Sequence, residues 1–117
     1  MIKGIGLDVT EIERIKAAHI LTPKFKARIL TANELDRFTK MKETRQLEFL
    51  AGRFAAKEAF AKAMGTGIGK HCSFHDIEVN SNEDGKPVLY FKGQEVNGHV
   101  SITHTKQFAA AQVILVE

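Results

Sequence analysis

The chain of 117 residues has a single cysteine, Cys72. One thiol cannot close an internal disulfide, which excludes a disulfide-stapled secreted scaffold and fits a reducing compartment, with the cytoplasm as the expected location. Long apolar runs are also missing. A membrane helix needs about 20 consecutive apolar residues, no run approaches that, and the opening MIKGIGLDV is broken by Asp8 before it can act as a signal peptide. The expectation is a soluble protein. Repeats, low-complexity tracts and linkers are absent, and a hydrophobic content of 44% suits one globular domain over residues 1–117.

Ready-made motifs for common chemistries are lacking as well. The glycines of GTGIGK follow a helical pattern instead of joining a strand to a helix, and the spacing and terminal hydroxyl of a P-loop are missing. What remains is a backbone turn that either presents N–H groups to an anion or only reverses the chain. His71, Cys72 and His75 lack zinc-site spacing and a second ligand pair, so they read as loop residues. No Ser-His-Asp arrangement can be read.

Charge is present, and its distribution is uneven. A net charge of +3 is too mild to imply nucleic acid. From Arg14 to Leu30, however, the chain carries Arg14, Lys16, Lys24, Lys26 and Arg28 with no acidic residue. Such a run is either a solvated helix face or a dock for an acidic partner.

The periodicities predict helices early and strands late. IKGIGLDV reads as a strand that stops at Asp8. Thr10 with Glu13 forms a capping-box pattern for a helix to about Ile20, with Ile12 and Ile15 inward. Thr22 and Pro23 suit the start of a short helix through Leu30, and Thr31 with Glu34 repeats the capping box. The longest helix is predicted over residues 43–64, with Gly65 as its left-handed stop. DIEVN and PVLYFKG read as a hairpin around Asp84-Gly85; HVSITHT and FAAAQVILVE read as further strands. The expected class is α+β, mainly an antiparallel sheet packed on one long helix, with shorter N-terminal helices.

On that helix Leu47, Leu50, Phe54, Glu58, Ala61 and Gly65 follow spacings of three and four, which sets Glu58 inside an apolar stripe. A buried carboxylate there requires a metal, a cation or a proton. The plainer alternative is a surface pair with Lys62, worth only about 0.3–0.5 kcal/mol. The alanines around Glu58 allow backbone or ligand to come close, although alanine is also simply the best helix former. Arg53 shares a second stripe with Phe49, Phe60 and Met64, and arginine is the usual grip for phosphate at a pocket's edge. His104 ends a β run in SITHT, beside hydroxyls that suit a phosphate or at a plain solvent-exposed strand end.

GIGLDVTEIERI, EFLAGRFAAKEAFAKAMGTGIG, DIEV followed by GKP, and SITHT closely resemble, in order and over nearly the whole length, the holo-[acyl-carrier-protein] synthases, a family of phosphopantetheinyl transferases. The GxDxxE around Asp8 and the FxxKEAxxKA around Glu58 are specific together and only suggestive apart. The resemblance implies the phosphopantetheinyl transferase fold and transfer of phosphopantetheine from coenzyme A to a serine of apo acyl carrier protein. It implies Asp8 and Glu58 as Mg²⁺ ligands, with Glu58 or a water on the metal taking the serine's proton, and Lys62 facing the phosphates. It further implies that Arg53 and His104 hold the ribose phosphate, that Gly85, Lys86 and Pro87 border the adenine, and that Gly65 and Thr105 belong to the coenzyme site. By the same pattern Arg14, Lys24, Phe25, Lys26 and Arg28 dock the acidic carrier. The assembly it implies is a homotrimer in which Asp8 and Glu58 come from one chain and His104 from the next. His71 and Cys72 match no role. Two other functions compete with this one: a transferase serving a polyketide or peptide synthetase carrier, and a small basic nucleic-acid-binding module. The second explains neither Glu58 nor Asp8.

Overall fold

Gly4 and Gly6 let one strand lie directly against the backbone of the long helix. A Cβ on Gly6 would lie 1.7 Å from the carbonyl oxygen of Ala59, and one on Gly4 2.2 Å from that of Ala63, both on the long helix. Only glycine lets this strand approach so near, so the small alanine surface of the helix receives backbone.

The computed structural model describes residues Met1–Glu117. In chain order its elements are β1 (Ile2–Glu11), α1 (Ile12–Leu21), α2 (Phe25–Ile29), α3 (Ala32–Thr39) and α4 (Glu43–Met64). A 3-10 turn (Phe74–Asp76) then leads to β2 (Ile77–Ser81), β3 (Pro87–Phe91), β4 (Gln94–Glu95), β5 (Gly98–His104) and β6 (Phe108–Val116). The α+β class holds, with one difference from expectation: the strands form two antiparallel sheets, β1-β6-β5 and β2-β3-β4, and α4 packs against both. No helix is long and apolar enough to cross a membrane.

Helix α4 spans the expected residues, and Gly65 closes it at φ 81°. Several other boundaries move. β1 does not stop at Asp8 but runs to Glu11, because each residue from Gly4 onward keeps a partner on β6. That pairing prevents the capping box at Thr10: α1 starts at Ile12, and the Thr10 hydroxyl donates to Asp8 Oδ2 at 2.7 Å instead. Thr22 ends α1 and does not start the next helix; its N–H bonds to the Ala18 carbonyl, and Lys24 precedes α2. The capping box of Thr31 and Glu34 forms as predicted.

One core cluster joins the alanine face of α4 to Ile77, Val79, Leu89, Val100, Val113 and Leu115; a second joins Phe49 and Leu50 to Ile15, Ile29, Leu30 and Phe38. Because α4 is covered on most sides, no single apolar stripe marks its interior. Glu58 is half-buried, while its neighbour Lys57 is fully buried and pairs with fully buried Glu34 at 2.6 Å.

Candidate active site

The second half of β1 passes the C-terminal half of α4 and brings Asp8 and Glu58 into one pocket of about 300 Å³. Val9, Ile15, Ala18, Phe25 and Phe54 supply its apolar wall, and Arg14 stands at its side. Asp8 is held from two directions: Thr10 donates to Oδ2, and the Lys62 ammonium lies 3.1 Å from Oδ1 while also donating to the Leu7 carbonyl at 3.0 Å. Lys62 therefore pairs with Asp8, not with Glu58 one turn away on its own helix. Burial, and next the charge of Asp8, push the Glu58 carboxyl above the usual range, with Lys62 opposing. Two hard oxygen donors whose charges repel are suited to a small divalent cation that keeps most of its waters. No cluster of three or more metal-ligating side chains exists in the chain, so a closed protein cage is not available.

A second cleft lies on another side of α4. Arg37, Arg45, Arg53 and His104 line it with Glu48, Phe49, Gly52, Ser81, Gly85, Pro87 and Ile102. The Arg53 guanidinium lies 4.2 Å from the Phe49 ring centroid, is buried, and leaves Nε without a partner. Burial, and then the charge of Arg37, lower its pKa to about 10. His104 Nε2 is 3.3 Å from Glu48, which also pairs with Arg45 at 3.5 Å. A concentration of cations with one buried, unpartnered N–H is suited to a phosphate. Arg53 and Glu58 are five residues apart on one helix, hence about 140° apart around its axis, and the two clefts have no lining residue in common.

The profile of the 4'-phosphopantetheinyl transferase superfamily matches residues 4–115. A holo-[acyl-carrier-protein] synthase of Bacillus pumilus is 62% identical over 118 residues, covering 98% of this chain and 96% of that protein. The chain belongs to the holo-[acyl-carrier-protein] synthase family. Its fold is that of the family: the synthase of Bacillus anthracis, in a complex with CoA (3',5'-ADP), superposes with a TM-score of 0.87 at 50% identity, covering 98% of this chain and 96% of that one. The synthase of Helicobacter pylori in complex with coenzyme A gives 0.81 at 31% identity, covering 96% and 99%.

Of the residues that family membership nominates, Asp8 and Glu58 meet, and Arg14 and Phe25 join them in the same pocket. Arg53, Gly85, Pro87 and His104 meet in the second cleft, whereas Lys86 lines an adjoining hollow with Asn82 and His99. Thr105 Oγ1 accepts from the N–H groups of Gln107 and Phe108 and shapes the β5–β6 turn. Gly65 ends α4, about 10 Å along the axis from Glu58. Lys24, Lys26 and Arg28 stand at or on α2. Arg37 and Arg45 were not singled out from the sequence; only folding brings α3, the first turn of α4 and the β2–β3 hairpin around Arg53. Lys57 was missed too, although it lies at spacings of three and four from Arg53, Phe54, Phe60 and Ala61, the pattern of a helix interior.

Proposed function

We propose that the protein is a cytoplasmic, Mg²⁺-dependent holo-[acyl-carrier-protein] synthase of fatty acid biosynthesis. It transfers phosphopantetheine from coenzyme A to a serine of apo acyl carrier protein and releases adenosine 3',5'-bisphosphate. The observation that carries this reading is the pairing of Asp8 with Glu58 beside an apolar wall, in a member of this family. In the reaction the serine oxygen bonds to the phosphorus that carries pantetheine, the bond to the bridging pyrophosphate oxygen breaks, and the bisphosphate leaves with that electron pair. Asp8 and Glu58 would hold Mg²⁺, which supplies neutralisation of charge on both phosphoryl groups. Lys62, half exposed, is free to turn from Asp8 toward the departing phosphate. The serine's proton passes to Glu58 or to a water beside it. Arg53 and His104 grip the ribose phosphate, and Arg14, Lys24, Phe25, Lys26 and Arg28 receive the acidic carrier.

We infer further that the working form is a homotrimer with shared sites. Two features support this. The cation-binding pocket and the phosphate-gripping cleft open on different sides of α4, so one copy does not close both around a single coenzyme. The outer face of β1 leaves Ile5, Leu7 and Val9 more than half exposed, at 56%, 58% and 61%, which favours cover by another copy. The test of function is a mass measurement on several purified apo carriers, incubated with coenzyme A and Mg²⁺. Gain of phosphopantetheine by a fatty-acid carrier supports the assignment, and preference for a polyketide or peptide synthetase carrier redirects it. No gain on any carrier overturns it.

A further inference from the structure

Helix α2 has only five residues, far below the length at which a helix is stable alone. It nevertheless carries Phe25, Lys26 and Arg28 of the carrier dock. Its carbonyl end is held from a distance: the fully buried Lys57 ammonium donates to the Ile29 carbonyl at 2.7 Å, to Glu34 Oε1 at 2.6 Å and to the Phe74 carbonyl at 3.1 Å. All three ammonium protons are thereby used. Glu34 is fixed in turn, accepting from the Thr31 N–H at 2.9 Å and from the Val79 N–H of β2 at 2.7 Å. The last carbonyls of a helix have no partner within it, and a cation there satisfies one. Lys57 is the residue before Glu58, so the same rigid helix anchors both α2 and the acidic pocket.

We propose that Lys57 is a positioning residue for the carrier dock: by gripping Ile29 at the end of α2 it sets where Phe25, Lys26 and Arg28 stand relative to Glu58. The inference rests on the reading above that α1 and α2 receive the carrier. It separates Lys57 from Glu34, since Lys57 hydrogen-bonds to α2 and Glu34 does not.

Two variants test it, Lys57→Met and Glu34→Gln. Both disturb the buried pair and lower Tm, but Glu34→Gln leaves the ammonium on Ile29. Lys57→Met should raise KM for the carrier about tenfold or more while KM for coenzyme A stays within about twofold. Glu34→Gln should leave the carrier KM within about threefold. A carrier KM that simply follows the loss of Tm across the two variants, or a coenzyme A KM that rises with it, assigns Lys57 to general stability and overturns the proposal. The double variant Lys24→Glu, Arg28→Glu tests the dock itself: an unchanged carrier KM there removes the docking reading. A raised KM there with none in Lys57→Met removes only the role of Lys57. If Lys57→Met does not fold, hydrogen exchange of the unaltered protein decides. The Arg28 and Leu30 amides, which donate to the Lys24 and Lys26 carbonyls and so close the turns of α2, should exchange with the slow core of α4, which supports the proposal; exchange about a hundredfold faster refutes it.

Discussion

Asp8 and Glu58 crowd two negative charges into a pocket walled by aliphatic and aromatic side chains, whereas Arg37, Arg45 and Arg53 crowd positive charge, beside His104, into a cleft on another side of the same helix. Each region is electrostatically incomplete, in opposite senses. Glu58 is shifted upward by burial and by Asp8; Arg53 is shifted downward by burial and by Arg37. Internal counter-ions are few, Lys62 in the first and Glu48 in the second. Helix α4 therefore acts as a divider: its acidic side suits a cation, its basic side suits an anion, and a single copy keeps the two apart.

The largest effect is expected from Glu58→Gln. The amide keeps the shape and loses the charge, so transfer should fall by about a thousandfold or more, measured as carrier mass gain under saturating coenzyme A. Stability should move the other way. The folded pKa of Glu58 is raised, so its ionised form costs stability; the cost is absent at acid pH, where both states are protonated, and is complete above the folded pKa. The Tm of Glu58→Gln should therefore match that of the parent at low pH and equal or exceed it as pH rises. A lower Tm at neutral pH would show that Glu58 is a structural carboxylate.

Much of the molecule was legible before folding, and the failures have physical causes. Helix α4 was readable from its spacing and from Gly65, because these signals are local. The facing of β1 was not. Its glycines point inward because α4 comes too close for a Cβ, which turns Ile5, Leu7 and Val9 outward and reverses the usual meaning of a strand's apolar residues. Glu58 stood out for lying in an apolar stripe, yet the fully buried charge is Lys57, whose partner Glu34 is 23 positions away. The juxtaposition of Asp8 with Glu58 came through family resemblance, since no spacing rule links residues so far apart in the chain.

The next largest effect concerns whether the two regions cooperate between copies. Asp8→Ala removes one half-site and His104→Ala the other, and each variant should be crippled alone. Mixed through dissociation and reassembly, they should regenerate about a quarter of the sites in a closed ring with random exchange. No recovery despite verified exchange would put both halves in one chain.

A smaller change is expected from Arg53→Met. Loss of a phosphate contact should raise KM for coenzyme A about ten- to a hundredfold and leave the carrier KM nearly constant. Because the guanidinium is buried with Nε unpartnered, Tm should change little. A large drop in Tm with an unaltered KM would make Arg53 a packing residue of the Phe49 stack and leave the basic cleft without its central grip.

The smallest effect lies at the rim of the acidic pocket. Arg14 and Lys24 are exposed, and exposed charges steer an approaching partner more than they bind it. Reversing both to Glu should raise the carrier KM by about three- to tenfold, leave KM for coenzyme A in place, and weaken the salt dependence of the carrier reaction. The salt series decides between steering and contact. If the difference between parent and variant vanishes at high ionic strength, the charges act at long range and the apolar wall with Phe25 holds the docked carrier. A difference that persists at high salt means direct, desolvated pairs at Arg14 or Lys24. Equal increases in both Michaelis constants would remove the basic run from the carrier's path and tie it to the coenzyme side of the helix instead.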